Sequence, residues 1–168
     1  APNGTAAVVC FPGIMYRGGA EQKIRKYLVD NNFIDAIIQL PSNLFFGTGI
    51  ATCIMVMKKN KPGNNILFID ASKDFDKAKN QNLLTDAHID KIISAYAART
   101  DIEKYSHVAT MEEIAANDYN LNIPRYVDTF VEEEPIDLQA EFKALAQLQE
   151  EAKAIDEKLA AYFKELGL

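Results

Sequence analysis

The chain has 168 residues, 48% of them hydrophobic and 25% charged. That is the balance of a folded globular chain of about one domain, not of a disordered, collagen-like or disulfide-scaffold sequence. The net charge of −6 sits in the tail, because residues 132–168 hold ten acids and four bases. The first 131 residues are therefore neutral and can still carry a local basic face toward nucleic acid.

The longest apolar runs fall far short of the roughly 20 residues that span a bilayer, and no basic-then-apolar leader opens the chain. A cytoplasmic location is expected. "TAAVVCF", Thr5 to Phe11, is a continuous apolar run closed by Pro12 and Gly13, the pattern of a central parallel strand buried on both faces. "GGAEQKIRKYLVDNN" follows, with Ile24, Tyr27 and Leu28 at helical spacing and an acid in the first turn, and predicts an amphipathic helix. "FIDAIIQL", Phe33 to Leu40, is a second buried strand. A β-α-β order of this kind implies a parallel sheet with a right-handed crossover.

The loop "PSNLFFGTG" then leads into a third strand from Ile50 to about Lys58, too close in sequence for a helical crossover, so the two strands should form an antiparallel hairpin at one edge. "ILFIDA" is a fourth strand, with Asp70 as a cap or turn residue. Cys10 and Cys53 fall inside apolar runs, where free cysteines behave as small buried hydrophobes, and their spacing suggests neither a metal nor a disulfide. Lys58, Lys59 and Lys61 read as charges guarding an edge strand against aggregation, with phosphate contact as the other option.

Helices take over next. "LTDAHIDKIISAYAAR" sets Ile89, Ile92, Ile93 and Tyr96 on one stripe, and "TMEEIAAN" carries a Thr-x-x-Glu capping box from Thr110 to Glu113. "DYNLNIPRYVD", Asp118 to Asp128, is expected as an ordered, non-helical strap whose Asn120, Asn122 and Arg125, with the preceding Asn117, bond backbone rather than substrate. From Pro135 onward one long helix is expected, with Leu138, Phe142, Leu145, Leu148, Ala152, Ile155, Leu159, Tyr162 and Leu166 in a coiled-coil-like seam. Three segments result: 1–72 as part of an α/β domain, 73–131 as a helical region with the strap, and 132–168 as a long interaction helix.

Catalytic machinery is hard to find. "RGGAEQ" has adjacent glycines before a helix but not the spaced glycines of a dinucleotide fingerprint. No Ser-His-Asp or Cys-His set is visible, and His88 and His107 lie in polar segments as surface histidines without metal-ligand spacing. No catalytic residue and no metal ligand is assigned.

Three segments carry a resemblance: Ala6 to Lys59 with "LPSNLFFGTGIAT", "NILFIDASKDFDKAKNQNLL", and "EIAANDYNLNIPRYVD". Together they resemble, in order, the methylation (M) subunit of type I restriction-modification systems, an adenine-specific DNA methyltransferase. The resemblance implies a partial Rossmann-like methyltransferase sheet with a terminal antiparallel hairpin, followed by an α-helical C-terminal region. It also implies that the S-adenosylmethionine loop and the Asn-Pro-Pro-aromatic catalytic motif lie upstream of this sequence. The chain would then be the C-terminal portion of such a subunit, inactive alone and with no cofactor bound to it.

An enzyme that modifies a base inside a duplex extrudes it and stacks it on aromatic faces. By the resemblance Phe45 is the expected stacking ring, five residues before Ile50, with Phe46 next; the competing reading has both rings buried, one anchoring the loop in the core and the other packed against a part of the parent outside this sequence. Pro12, Gly13 and Arg17 are candidate site-lining residues at a strand's C-terminal end. The implied partners are the specificity (S) subunit, through Leu138, Phe142, Leu145, Leu148, Ile155 and Leu159, the restriction (R) subunit, and DNA through the assembled complex. The alternative is a non-catalytic helical interaction module on a partial α/β platform.

Overall fold

The computed structural model describes residues 1–129 and 137–166. They belong to two compact units that divide between residues 130 and 131.

In the first unit a five-stranded mixed sheet is built from β1 (Thr5–Cys10), β2 (Ile34–Gln39), β3 (Cys53–Lys58), β4 (Ile66–Asp70) and β7 (Ser106–Ala109), in the spatial order β1-β3-β2-β4-β7. A separate two-residue ladder joins β5 (Asp76–Lys77) to β6 (Asn82–Leu83). The helices are α1 (Ala20–Asp30), α2 (Asp86–Ala98) and α3 (Met111–Ala116). Strands β2 and β4 are parallel, while β3 runs antiparallel to both β1 and β2, and β7 antiparallel to β4.

The α/β class and the antiparallel pairing of β2 with β3 agree with the sequence reading, but the hairpin lies inside a mixed sheet and not at the edge of a parallel one. The place of β1 does not. It lies at the edge, paired with β3 alone, and five of its six residues are exposed, with Val8 at 45% and Val9 at 54%. The hairpin strand β3 is inserted between β1 and β2. Those two strands still run the same way and are still joined by α1, so the crossover is real but spans an intervening strand. An apolar run signals that a strand is to be covered; it does not say by what.

Period-two alternation divides the core between the two faces of the sheet. Ile66 and Phe68 of β4 point to one side, with Met15, Val29, Ile37 and Ile114, while Leu67 and Ile69 point to the other, with Ile38, Ala95 and Tyr105. A register shift between Ile34 and Ala36 lets Ile34 face the same side as Ile37. The strap is more apolar in its packing than its composition suggests. Leu121, Ile123, Tyr126 and Val127 are buried, around a 3-10 turn at Ile123–Arg125, and Tyr126 stacks flat on Phe68 with ring centroids 3.9 Å apart.

Helix α1 buries only part of the face its apolar spacing predicts, with Leu28 packed against the core. Ile24 and Tyr27 are exposed, whereas Arg25 and Val29 are buried. In α2, Ile92 and Tyr96 pack on the core and Ile89 and Ile93 are exposed. His88 is part of that helix's cap, its Nδ1 accepting from the Thr85 N–H at 3.2 Å. At α3 the Thr110 hydroxyl accepts from the Glu113 N–H at 3.3 Å, but the Glu113 carboxylate turns to His107 at 2.9 Å. His107 therefore bridges Glu113 and Asp101, the latter 3.2 Å from its Nδ1.

The second unit is described as α4 (Leu138–Glu165). Asp137 caps it, one carboxylate oxygen accepting from the N–H groups of Gln139 and Ala140 at 3.0 and 3.1 Å. The expected start at Pro135 lies outside the described residues. Its 28 residues make a helix about 42 Å long. Leu138, Phe142, Leu145, Leu148, Ile155, Leu159 and Tyr162 are all exposed along it.

Candidate functional site

The register places the ends of four strands in one row: Cys10 opposite Cys53, Cys53 opposite Gln39, and Gln39 opposite Asp70. The C-termini of β1, β2 and β4 thus share one end of the sheet with the N-terminus of β3, the end at which α/β domains place ligands. Among the segments that emerge there are the Pro12–Arg17 turn after β1 and the loop 40–52 between β2 and β3.

That second loop is held at its base and free at its tip. Pro41 is fully buried and Leu44 packs against the core. The Asn82 backbone N–H donates to the Asn43 carbonyl at 2.7 Å, and its side-chain amide to the Ser42 carbonyl at 2.8 Å, so the β5–β6 ladder clamps the base. At the tip the Thr48 N–H donates to the Phe45 carbonyl at 3.4 Å, and Gly47 has φ +81°. These are the marks of a type II turn with Phe46 and Gly47 at its centre, a conformation that favours glycine at the second position. Phe46 at the corner is 97% exposed and Phe45 beside it 42% exposed. Within this chain neither ring is buried.

The Pro12–Arg17 turn is positioned by a residue that sequence reasoning missed. Arg25, 4% exposed, donates to the carbonyls of Ile14 at 2.8 Å, Arg17 at 2.7 Å and Tyr119 at 3.2 Å. A buried guanidinium needs such partners, and here they tie α1 to the turn and to the strap. Burial lowers the Arg25 pKa from its ordinary value, with nearby Glu21 and Asp118 acting in the opposite sense. Gly13 is buried under Arg17, and a Cβ there would come within 3.1 Å of the Arg17 guanidinium. Arg17 itself lies 3.6 Å from Glu21.

The lysines after β3 do not guard an edge. Lys58 ends an interior strand and lies 3.1 Å from the Asp35 carboxylate. Asp35, 3% exposed, also receives a hydrogen bond from the Tyr96 hydroxyl and one at 2.9 Å from Arg99. Burial raises the Asp35 pKa, but the Tyr96 and Lys58 hydrogen bonds and the charge of Arg99 outweigh it and hold the carboxyl below its ordinary value. Lys61 donates to the carbonyls of Ile34 and Asn65, and burial brings its pKa down to about 8. This cluster is structural, and it lies at the opposite end of the sheet from the phenylalanine loop.

In the strap, the Asn117 amide donates to the Glu113 carbonyl, Asn120 accepts from the Asn122 N–H, and Arg125 donates to the Asn117 side chain at 3.4 Å. Asp70 accepts from the Ser72 N–H at 2.9 Å, as a turn residue does. Among the described residues no cluster of His, Cys, Asp or Glu could hold a metal, and no helix is long and apolar enough to cross a membrane.

The first unit is thus an α/β domain with a loop tipped by aromatic rings at the end of its sheet where the parallel strands finish. The chain matches the family model described as N-6 DNA Methylase over residues 1–135. It is 41% identical over 157 residues to the methylase subunit of the type I restriction enzyme MpnII of Mycoplasma pneumoniae, covering 93% of this chain and 29% of that one. With the MjaVII methylase subunit of Methanocaldococcus jannaschii it shares 39% over 161 residues, covering 92% of this chain and 28% of the relative. Its fold matches the crystal structure of the type I restriction-modification methyltransferase subunit from Streptococcus thermophilus with a TM-score of 0.74 and 56% identity, over 76% of this chain and 27% of that one.

The chain belongs to the N-6 DNA methylase family, and its relatives there include methylase subunits of type I restriction enzymes. It spans less than a third of the length of those two curated relatives.

Proposed function

We propose that this chain is the C-terminal part of a type I M subunit. The parent transfers a methyl group from S-adenosylmethionine to the exocyclic amine of adenine in DNA, acting with an S subunit that reads the sequence and with an R subunit. Here the chain supplies one wall of the pocket that receives the extruded adenine. The observation that carries this reading is the loop clamped at its base by Asn82, which holds Phe45 half packed and Phe46 open at the ligand-facing end of the sheet. Phe45 is the stacking platform, because a ring already held by its surroundings loses little freedom when a base lands on it. Phe46 is the second contact.

The cofactor does not fit these residues. No spaced-glycine loop follows any strand among the described residues. The cofactor cradle and the Asn-Pro-Pro-aromatic motif belong to the part of the parent outside this chain. The free edge of β1 supports that division. Among the described residues its outer edge pairs with no strand, which suits pairing with a strand from the rest of the parent's sheet. Helix α4, with its exposed apolar seam and acidic surroundings, is the contact for the S subunit.

The test is methyl transfer by the full-length subunit assembled with its S subunit. Base stacking on an aromatic is worth about 1–3 kcal/mol. Phe45→Ala or Phe46→Ala should therefore slow transfer by about fivefold or more while S-adenosylmethionine binding stays near normal. Unchanged transfer in both variants would sink the stacking role.

A further inference from the structure

Two thiols face each other where these loops leave the sheet. Cys10 ends β1 and Cys53 begins β3; they are direct register partners, and their sulfurs lie 3.5 Å apart. Each thiol also sits 3.5–3.6 Å from the other residue's carbonyl oxygen. Residues directly opposite on antiparallel strands have Cα atoms about 4.5–5.5 Å apart, within the range of about 4.4–6.8 Å that a disulfide accepts. Bond formation would bring the sulfurs from 3.5 Å to about 2.0 Å.

The two sulfurs are not equivalent. Cys53 is fully buried, whereas Cys10 is only partly so and lines an apolar cavity beside Val8, Ile24 and Met55. The hydrogen bond from Cys53 holds the Cys10 thiol below its ordinary pKa, and the same contact together with burial pushes Cys53 up. The more exposed sulfur is thus also the better nucleophile.

We infer that Cys10 and Cys53 form a reversible disulfide under peroxide stress, a modification site that staples the strand entering the Pro12–Gly13 turn to the strand leaving the Phe45–Phe46 loop. The Cys10 thiolate attacks one oxygen of hydrogen peroxide and the O–O bond breaks. Hydroxide leaves, takes a proton to become water, and Cys10 becomes a sulfenic acid. The Cys53 sulfur, losing its proton, then attacks the Cys10 sulfur and expels hydroxide, which leaves as the second water. Two thiols are oxidised to one disulfide, and one peroxide is reduced to two waters. The inference does not depend on the base-stacking role of the loop.

The test treats the native full-length subunit with hydrogen peroxide, blocks free thiols and maps tryptic peptides without reduction. The peptide ending at Arg17 should be found joined to the peptide running from Tyr27 to Lys58, two hydrogens lighter than the reduced pair and separated again by dithiothreitol. In Cys53→Ser the reaction should stop at a Cys10 sulfenic acid that dimedone labels. A linked peptide that forms only after denaturation would overturn the inference, as would a Cys10 that dimedone leaves unlabelled in Cys53→Ser while that variant keeps the wild-type circular dichroism.

Discussion

Asp35→Asn removes a buried charge from the first unit while keeping the side chain's shape. The asparagine oxygen can still accept from the Tyr96 hydroxyl, but the ion pairs with Lys58 at 3.1 Å and Arg99 at 2.9 Å are lost. Stripping one partner from a fully buried pair costs about 3–5 kcal/mol. Here the Lys58 and Arg99 side chains are 34% and 35% exposed, so water recovers part of that. A loss of about 2 kcal/mol at pH 7 is expected. Equilibrium urea unfolding of the 168-residue chain, followed by circular dichroism, measures it. The pH dependence identifies the cause. A carboxyl whose folded pKa is depressed contributes stability above the unfolded aspartate value of about 3.9. That contribution disappears as pH falls through the lower folded value. The gap between wild type and variant should therefore be full at pH 7 and close below about pH 4. A gap that stays constant down to pH 3 would refute the ion-pair account and leave a packing defect in its place.

Other consequences are as direct. Phe68→Ala removes a fully buried ring and the stacking partner of Tyr126, and urea unfolding should register a loss of about 3–5 kcal/mol. Lys61, lowered by burial to about 8 in the folded chain, holds fewer protons there than an unfolded lysine of pKa about 10.4. Its penalty is full below pH 8 and is relieved as pH rises, so Lys61→Met should abolish a rise in stability between about pH 8 and 10; equal slopes in both proteins would contradict this. Leu145→Glu with Ile155→Glu on α4 should cut co-purification of the full-length subunit with its S subunit, and normal co-purification would rule out that face as the contact.

What could be read from the sequence was whatever depends on local pattern. Strands β2 and β4 are mostly apolar runs and are buried as such, and "PSNLFFGTG" announces a loop through its turn residues. What could not be read depends on distant partners. Asp35 interrupts an apolar run, and its acceptance there rests on Arg99, 64 residues away. Arg25 on an amphipathic helix reads as a solvated residue until the carbonyls of Ile14, Arg17 and Tyr119 are seen around it. Strand β7 is four residues with a histidine among them, too short and too polar to stand out, and exists because β4 offers it an edge. The apolar run of β1 was visible while its cover was not, since no strand among the described residues pairs with its outer side. Phe45 and Phe46 could be singled out by type and spacing, whereas their exposure follows from the Gly47 turn and the Asn82 clamp.

The base-stacking claim is tested most directly with DNA carrying 2-aminopurine in place of the target adenine, bound by the full-length subunit and its S subunit. A flipped 2-aminopurine lying on an aromatic face is quenched, and one extruded into a pocket without that face is bright. The wild-type complex should be dim, and Phe45→Ala should brighten it without weakening DNA binding. Equal emission from wild type, Phe45→Ala and Phe46→Ala would contradict the account.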